Sequence, residues 1–386
     1  MGCAHVPNLA GTMAKKLLYL VAEESYFWSH RLYLARAARD AGFRVYVATH
    51  IQDSKERFDV EGFIVCETNF SRSNRGIFKQ LQSLWQIRKI VKEIRPDVMH
   101  MVGVKSVIFA GFATILLRVP RRIYALMGLG TLSIERKVHY RMWALLVWRC
   151  MRLIFQRPES RVIVQNQDDF NFVRLLAPQA KVSLIRGSGV DIDYFLPRSS
   201  VTSQTVVSLV ARMISQKGIL EFIEVSRIFK AQNIQAKFLL VGGLDRLNPS
   251  SISQEQLQAW QQEDLIEWMG YQKDILAIWN ASHIAVLPSY REGLPKSLLE
   301  AASCALPLVA FDVPGCREVI QDGKNGFLVP SRDVIQLADR IRMLVLDPQL
   351  RIRMGRCGRQ LVTEKLSYRS VNQQTLALYE SGVVLC

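Results

Sequence analysis

No uncharged apolar run in the 386 residues is long enough to cross a bilayer. The longest, SVIFAGFATILL at 106–117, falls well short of the roughly 18–20 residues that a spanning helix needs. It reads as a core helix or a partly interfacial one. Cysteine pairing motifs are missing too. The seven cysteines, at 3, 66, 150, 304, 316, 357 and 386, are odd in number and form no CxxC pair, which argues against a disulfide framework and a zinc site and points to a reducing compartment. The opening MGCAHVPNLAGT has neither a basic start nor an apolar stretch, so no signal peptide is read there. Met13, just before KKLLYLV, is a second candidate start. We read no Asp-x-Asp pair in a strand-end loop and no His or Cys cluster at ligand spacing, so no metal and no cofactor are expected. RNA-recognition signatures, zinc fingers and heptad basic regions are missing as well, which sets nucleic acid aside as a partner.

What is present in excess is positive charge, and it is uneven. Residues 1–195 carry 29 Lys and Arg against 16 Asp and Glu, and the remainder 21 against 18, so +13 of the net +16 lies in the first half. That asymmetry suggests an anionic partner for the first half, such as a phospholipid surface or a pyrophosphate-bearing lipid.

Short aliphatic and β-branched runs alternate with amphipathic stretches along the chain, the pattern of parallel sheets wrapped by helices. The predicted strands of the first half are 17–22, 43–49, 63–67, 97–102, 122–126, 161–165 and 181–185. Residues 191–205, DIDYFLPRSSVTSQT, switch to Pro, Ser and Thr and read as a linker. Strands resume at 206–211, 237–242, 265–270, 284–288, 306–310 and 326–330. The expected architecture is α/β: a doubly wound domain over 1–196, a second over 197–366, and a helix over 367–386 returning to the first. In such sheets ligands sit at the carboxyl ends of strands near the point where strand order reverses, so the chemistry is expected in a cleft between the domains. The segment 136–157, RKVHYRMWALLVWRCMRLIFQR, sets Arg and His among Trp, Leu and Phe at near-helical spacing. It fits equally a core helix with snorkelling arginines and an interfacial membrane helix.

The densest cluster of chemical signals is SYREGLPKSLLEAASCALPLVAFDVPGCREVIQDGKNGFLVP, 289–330. Proline suits a first helical turn, so a helix is predicted from about Pro295, with Glu292 just before it and Glu300 one or two turns inside. The exposed NH groups and dipole at such an end suit a diphosphate. Two glutamates eight positions apart are ordinarily only solvated charges, and their weight comes from context. Earlier, the run VVSLVA is followed by RMISQKG, so Arg212 and Lys217 leave a strand end for a helix beginning near Gly218. A cation pair there can neutralise a pyrophosphate leaving group without a metal, although a basic loop beside a helix is commonly no more than that.

In order, ARMISQKG, VGGLDRLNP, WMGYQKDI, LPSYREGLPKSLLEA and DVPGCREVIQDGKNGFLVP resemble the family-4 (group 1) retaining glycosyltransferases, particularly the branch that builds bacterial capsule and O-antigen. FWSHRLYLARAARDAGFRVYVAT, VIVQNQDDFNFV and GSGVDIDYF extend the likeness over nearly the whole chain from Lys15. The resemblance implies a GT-B fold, a nucleotide-diphosphate sugar donor, retention at the anomeric carbon and no metal. It also implies roles: Arg212 and Lys217 on the diphosphate, Glu292 on the donor sugar and Glu300 on the ribose. Gly293, Leu294 and Lys296 would offer backbone NH groups to the phosphates, and the strand ends at Gly243, Gly270 and Tyr271 would carry the base.

One departure is plain. Where many members have a His-Gly pair, this chain has Met127 and Gly128. His30, His100, Gly128 and Gly130 remain candidates on the acceptor side, with Glu23 and Glu24 near its edge. The function implied is transfer of a hexose or N-acetylhexosamine, from a UDP-linked donor, to a lipid-linked saccharide on the inner face of the plasma membrane. The rivals are a nucleotide-sugar epimerase of the same fold and a non-catalytic lipid-linked-sugar binding protein. A glycosidase-like carboxylate pair would leave Arg212 and Lys217 without a purpose.

Overall fold

A computed structural model describes residues 14–51, 55–70, 77–128, 138–197, 204–245 and 248–380, with the side chains of 77–79, 138–144 and 146 excepted. Gly130 and the side chain of Trp143 lie outside that description. The chain forms two units, residues 1–188 with 372–386, and residues 189–371.

In the first unit, seven parallel strands lie in the order β3-β2-β1-β4-β5-β6-β7. They are β1 (Lys16–Val21), β2 (Arg44–Thr49), β3 (Ile64–Glu67), β4 (Val98–Val102), β5 (Arg121–Ala125), β6 (Ser160–Val164) and β7 (Val182–Leu184). β1, β4 and most of β6 read as near-continuous apolar runs because helices cover both faces of a parallel sheet. Leu18, Met99, Tyr124 and Val162 are all buried. The helix Tyr368–Glu380 delivers its second half to this unit. There the Tyr379 hydroxyl meets His100 Nδ1 and lies 3.2 Å from the Tyr19 hydroxyl, and Arg121 donates to the Tyr379 carbonyl.

The second unit has six parallel strands in the order β10-β9-β8-β11-β12-β13: β8 (Val206–Val210), β9 (Lys237–Val241), β10 (Glu267–Trp268), β11 (Ile284–Leu287), β12 (Leu308–Phe311) and β13 (Gly326–Val329). Every predicted strand is present, most within a residue or two of its expected ends. β10 is the shortest, two residues against the expected 265–270. It is an edge strand paired only with β9, at Glu267↔Leu239 and Trp268↔Leu240. In both sheets the order reverses between the first strand and the fourth, β1/β4 and β8/β11, which opens a crevice at their carboxyl ends.

Part of the expected linker is firmly held. Arg359 donates to the carbonyls of Phe195 and Ile192, each at 2.8 Å, so residues 191–197 are anchored to the second unit. Residues 198–203 lie outside the described ones. The helix expected near 136–157 spans Val138–Phe155. Met151, Ile154 and Phe155 are buried, whereas Leu145 and Leu153 are exposed. No helix among the described residues is long and apolar enough to cross a membrane.

Candidate functional site

The second unit's reversal point gathers the residues singled out in the sequence. After β8 the chain runs through Arg212 into a single 3-10 turn, Ser215–Lys217, and then through Gly218 into the helix Ile219–Ala231. Gly218 has φ +74°, and a Cβ there would sit 2.0 Å from the Pro288 carbonyl oxygen. Only glycine combines that backbone with so close an approach, and the approach brings the loop after β8 against the loop after β11. Two bonds to the Gln216 carbonyl then tie the loops, from the Ser289 hydroxyl and from the Tyr290 NH, both at 3.1 Å.

Across this seam Lys217 Nζ lies 2.5 Å from Glu292 Oε1, with both side chains largely buried. The helix Lys296–Ser303 begins directly beyond, with Pro295 in extended geometry as its cap and no side chain capping it. The first turn of such a helix carries NH groups that no intrahelical carbonyl accepts, and these suit an anion. Leu298, Leu299, Ala301 and Ala302 bury one face of the helix, and each leucine contributes about 1.5–3 kcal/mol on leaving water. Glu300, 7% exposed, is carried inward with them. Burial pushes its carboxyl above the usual carboxylate range, while Lys296, at 3.4 Å, and the Trp279 indole pull it back. Trp279 is itself buried, and its Nε1 has no hydrogen-bond acceptor of ordinary geometry.

Arg212 does not join Lys217. Its side chain is mostly exposed and pairs at 2.6 Å with Asp245. Asp245 lies within VGGLDRLNP, a motif in which the sequence alone gives it no part. Its position four residues after β9, just past Gly242 and Gly243, is the signal that could have found it. Gly242 is fixed sterically, since a Cβ would lie 1.7 Å from the Ala211 carbonyl oxygen. Gly242 N donates to the Gly270 carbonyl at 2.8 Å, Trp268 Nε1 donates to the Gly242 carbonyl at 3.1 Å, and Tyr271 is exposed beside them. Gly243, Gly270 and Tyr271 thus line the carboxyl ends of β9 and β10, on the same side of the sheet as Lys217 and Glu292. Gly293 and Leu294 lie between Glu292 and Pro295, and Leu294 packs on the core.

A second unforeseen contact braces the loop. The Tyr290 hydroxyl donates to Glu221, and Arg332 lies 5.3 Å over the Tyr290 ring. Burial and the Glu221 carboxylate push the Tyr290 phenol up to about 12. Only its neighbours in the 289–330 motif hinted at this.

Two family models match in succession, Glycosyl transferase 4-like over residues 16–157 and Glycosyl transferases group 1 over residues 197–361. The chain belongs to the group 1 glycosyltransferases. It is 26% identical over 366 residues to the N,N'-diacetylbacillosaminyl-diphospho-undecaprenol alpha-1,3-N-acetylgalactosaminyltransferase of Campylobacter jejuni, covering 91% of this chain and 94% of that one. It is 25% identical over 304 residues to the UDP-Gal:alpha-D-GlcNAc-diphosphoundecaprenol alpha-1,3-galactosyltransferase of Escherichia coli, covering 75% and 76%. Among solved structures, sucrose-phosphate synthase from Thermosynechococcus elongatus matches with a TM-score of 0.78 at 18% identity, over 95% of this chain and 98% of that one. The fold is GT-B, two Rossmann-like domains.

The first unit of this glycosyltransferase treats its candidate residues differently. His100 is not at a strand end: it is central in β4 and fully buried, pressed between Tyr19 and Tyr379. Burial, then the nearby Arg31 charge, hold its imidazole well below the usual pKa. It is therefore a neutral core residue, and its candidacy for acceptor chemistry ends there. His30 stacks on Tyr26 with ring centroids 4.2 Å apart and shares a 2.7 Å hydrogen bond with Ser29. Gly128 has φ +98° just beyond β5. Glu23 and Glu24 follow β1, with Glu24 buried and accepting from the Trp28 indole at 2.9 Å.

Among the described residues, no three His, Cys, Asp or Glu side chains gather as a metal site would require. An Asp-x-Asp stands at Asp191 and Asp193, seven residues beyond β7 and outside a strand-end loop. Asp191 Oδ1 accepts from the backbone of Asp193 and Tyr194, and Asp193 pairs with Arg369 at 2.5 Å. Asp191 thus caps a turn, and Asp193 is held in an ion pair.

Proposed function

We propose that this glycosyltransferase moves a hexose or N-acetylhexosamine from a UDP-linked donor to a lipid-linked saccharide, with retention at the anomeric carbon and without a metal. The observation that carries the reading is the Lys217–Glu292 pair at the β8/β11 reversal, beside the uncapped start of the helix Lys296–Ser303. Lys217, Arg212 and the NH groups around Gly293, Leu294 and Lys296 take the diphosphate, and their positive charge offsets what develops on it as the glycosidic bond breaks. Glu292 orients the sugar ring, Glu300 holds the ribose hydroxyls, and Gly243, Gly270 and Tyr271 support the base.

Support for UDP and for a diphospholipid acceptor comes from the relatives, whose names specify UDP-Gal and undecaprenol diphosphate-linked sugars. Both names also specify alpha linkages. The basic first half, with exposed Leu81, Trp85, Leu145 and Leu153 on the helices Ile77–Ile94 and Val138–Phe155, supports peripheral attachment to the inner face of the plasma membrane. A thermal-shift panel of nucleotide sugars, followed by donor hydrolysis with and without lipid-linked acceptor, tests the reading. UDP-sugars should stabilise the protein, and acceptor should convert hydrolysis into transfer. Stabilisation by no nucleotide sugar would overturn it.

A further inference from the structure

Two arginines are buried among the described residues, and they are satisfied very differently. Arg122 donates to the Glu159 carboxylate and to the carbonyls of Thr114 and Leu117, at 2.9 and 2.6 Å. Arg31, 4% exposed, has no carboxylate and no carbonyl on its side chain. One terminal nitrogen points at the Met127 thioether sulfur at 3.0 Å, and Nε has no partner. The same sulfur faces a second buried donor, Gln165 Nε2, at 3.4 Å. A thioether is a weak acceptor, so two buried donors converge on an atom that satisfies neither. The titratable groups that feel the Arg31 charge are His100, Tyr19 and Tyr379, and burial keeps all three neutral. Among the described residues no carboxylate pairs with this cation.

Its place in the fold gives that imbalance a use. Met127 lies two residues beyond β5, and Gln165 directly follows β6. Arg31 and Gln165 therefore project over the carboxyl ends of the first sheet, the side on which such sheets take ligands. An isolated buried guanidinium is costly, and an oxyanion that displaces the flexible Met127 thioether from between its fork and the Gln165 amide relieves that cost through charge-assisted hydrogen bonds.

We propose that Arg31 and Gln165 form an anion subsite of the first unit that takes an anionic oxygen of the acceptor, either a lipid-linked phosphate or a sugar carboxylate. The proposal rests on the transferase reading above and names a recognition element for its acceptor.

Calorimetric titrations on the full chain, with saturating UDP to occupy the donor unit, test it with farnesyl diphosphate and glucuronate as separate probes. At least one should bind the wild type saturably, and Arg31→Met should weaken that binding by roughly 10-fold or more, the scale of one lost charge-assisted contact. Arg31→Lys keeps the charge without the planar fork and should fall between. The probe that binds identifies the source of the oxygen. Because the unliganded protein carries an unanswered cation, Arg31→Met should melt no lower than wild type. A lower melting temperature for Arg31→Met together with wild-type probe affinity would make Arg31 a packing residue and overturn the subsite, as would failure of both probes to bind. Should Arg31→Met not fold, the Arg31→Lys affinity decides, and wild-type affinity there sinks the proposal. UDP binding, titrated first, keeps the two readings apart: its absence in the wild type counts against the transferase assignment, not against Arg31.

Discussion

Lys217 and Glu292 are held 2.5 Å apart although 75 residues separate them, one on the loop after β8 and the other on the loop after β11. In the unliganded protein the cation proposed for the leaving diphosphate is thus already paired with the carboxylate proposed for the sugar. Arg212 is likewise paired with Asp245. On the proposed assignment, donor binding would exchange these partners for the diphosphate and the sugar.

That exchange makes the pair testable by stability and by rate. Lys217→Ala should lower turnover by about 10²-fold, the usual scale for losing a preorganised charge donor, and Arg212→Ala by a similar factor. Lys217→Ala also strands the Glu292 carboxylate, which is 9% exposed at its side chain. It should therefore cost roughly 1–3 kcal/mol of stability, scaled down from a fully buried pair. The double variant Lys217→Ala/Glu292→Ala should be more stable than the sum of the singles. Steady-state kinetics and denaturant titration check both. Normal turnover in Lys217→Ala would remove Lys217 from the mechanism.

Glu300 should separate binding from chemistry. A ribose contact is the same in ground and transition states, so Glu300→Ala should raise donor KM and leave kcat nearly unchanged, whereas Glu292→Gln should lower kcat as well. A Glu300→Ala enzyme with wild-type KM contradicts the ribose assignment.

The same residue predicts a pH effect on stability. Burial raises the Glu300 carboxyl pKa in the folded protein, so between the unfolded carboxylate pKa and that raised value the folded state binds more protons, and stability falls as pH rises. Above that window the ionised, buried group remains a net cost. Glu300→Gln should therefore melt higher than wild type at neutral pH, with the gap closing as pH drops toward the unfolded carboxylate pKa. Melting curves across the acid range test this, and a gap that widens on acidification would mean the carboxyl is stabilised in its charged form.

Turnover should survive EDTA if, as proposed, charge on the diphosphate is met by Lys217, Arg212 and the helix start. Dialysis against chelator followed by rate measurement checks this. Complete loss restored by magnesium or manganese would show that those groups do not suffice.

Sedimentation with liposomes tests the membrane proposal. Anionic vesicles should retain the protein and neutral ones should not, with binding falling as salt rises. Trp85→Glu and Leu145→Glu, both at exposed positions, should each weaken retention several-fold at about 1 kcal/mol per charge change near such a surface.

The strands were legible because a parallel sheet buried on both faces writes itself as aliphatic runs, so LLYLV and VVSLV declare β1 and β8 without context. Lys217, Glu292 and Glu300 stand out because they follow such runs, but the roles proposed for them come from the resemblance of the motifs around them. What escaped were relationships set by packing across elements. Nothing near Arg31 announces that its side chain ends against Met127, 96 residues on. Nothing in DVMHMV says that His100 faces a tyrosine from the far end of the chain. Histidine in a strand has the same periodicity whether it faces a ligand or the core. Asp245 was missed because a carboxylate next to a glycine pair looks like turn chemistry until Arg212 is seen to reach it.

Tyr379 enters the first unit's core beside His100, from 279 residues further along. The amino-terminal sheet is therefore finished last. As the chain emerges from the ribosome, strands β1 to β7 can associate early, but the hydroxyl that meets His100 Nδ1 and the ring that packs on Phe43, 6.0 Å between centroids, arrive only after the whole second sheet has been made. Until then that part of the first unit's core has no partner from Tyr379. A stop codon a few residues before Tyr379 would damage the start of the protein more than its end.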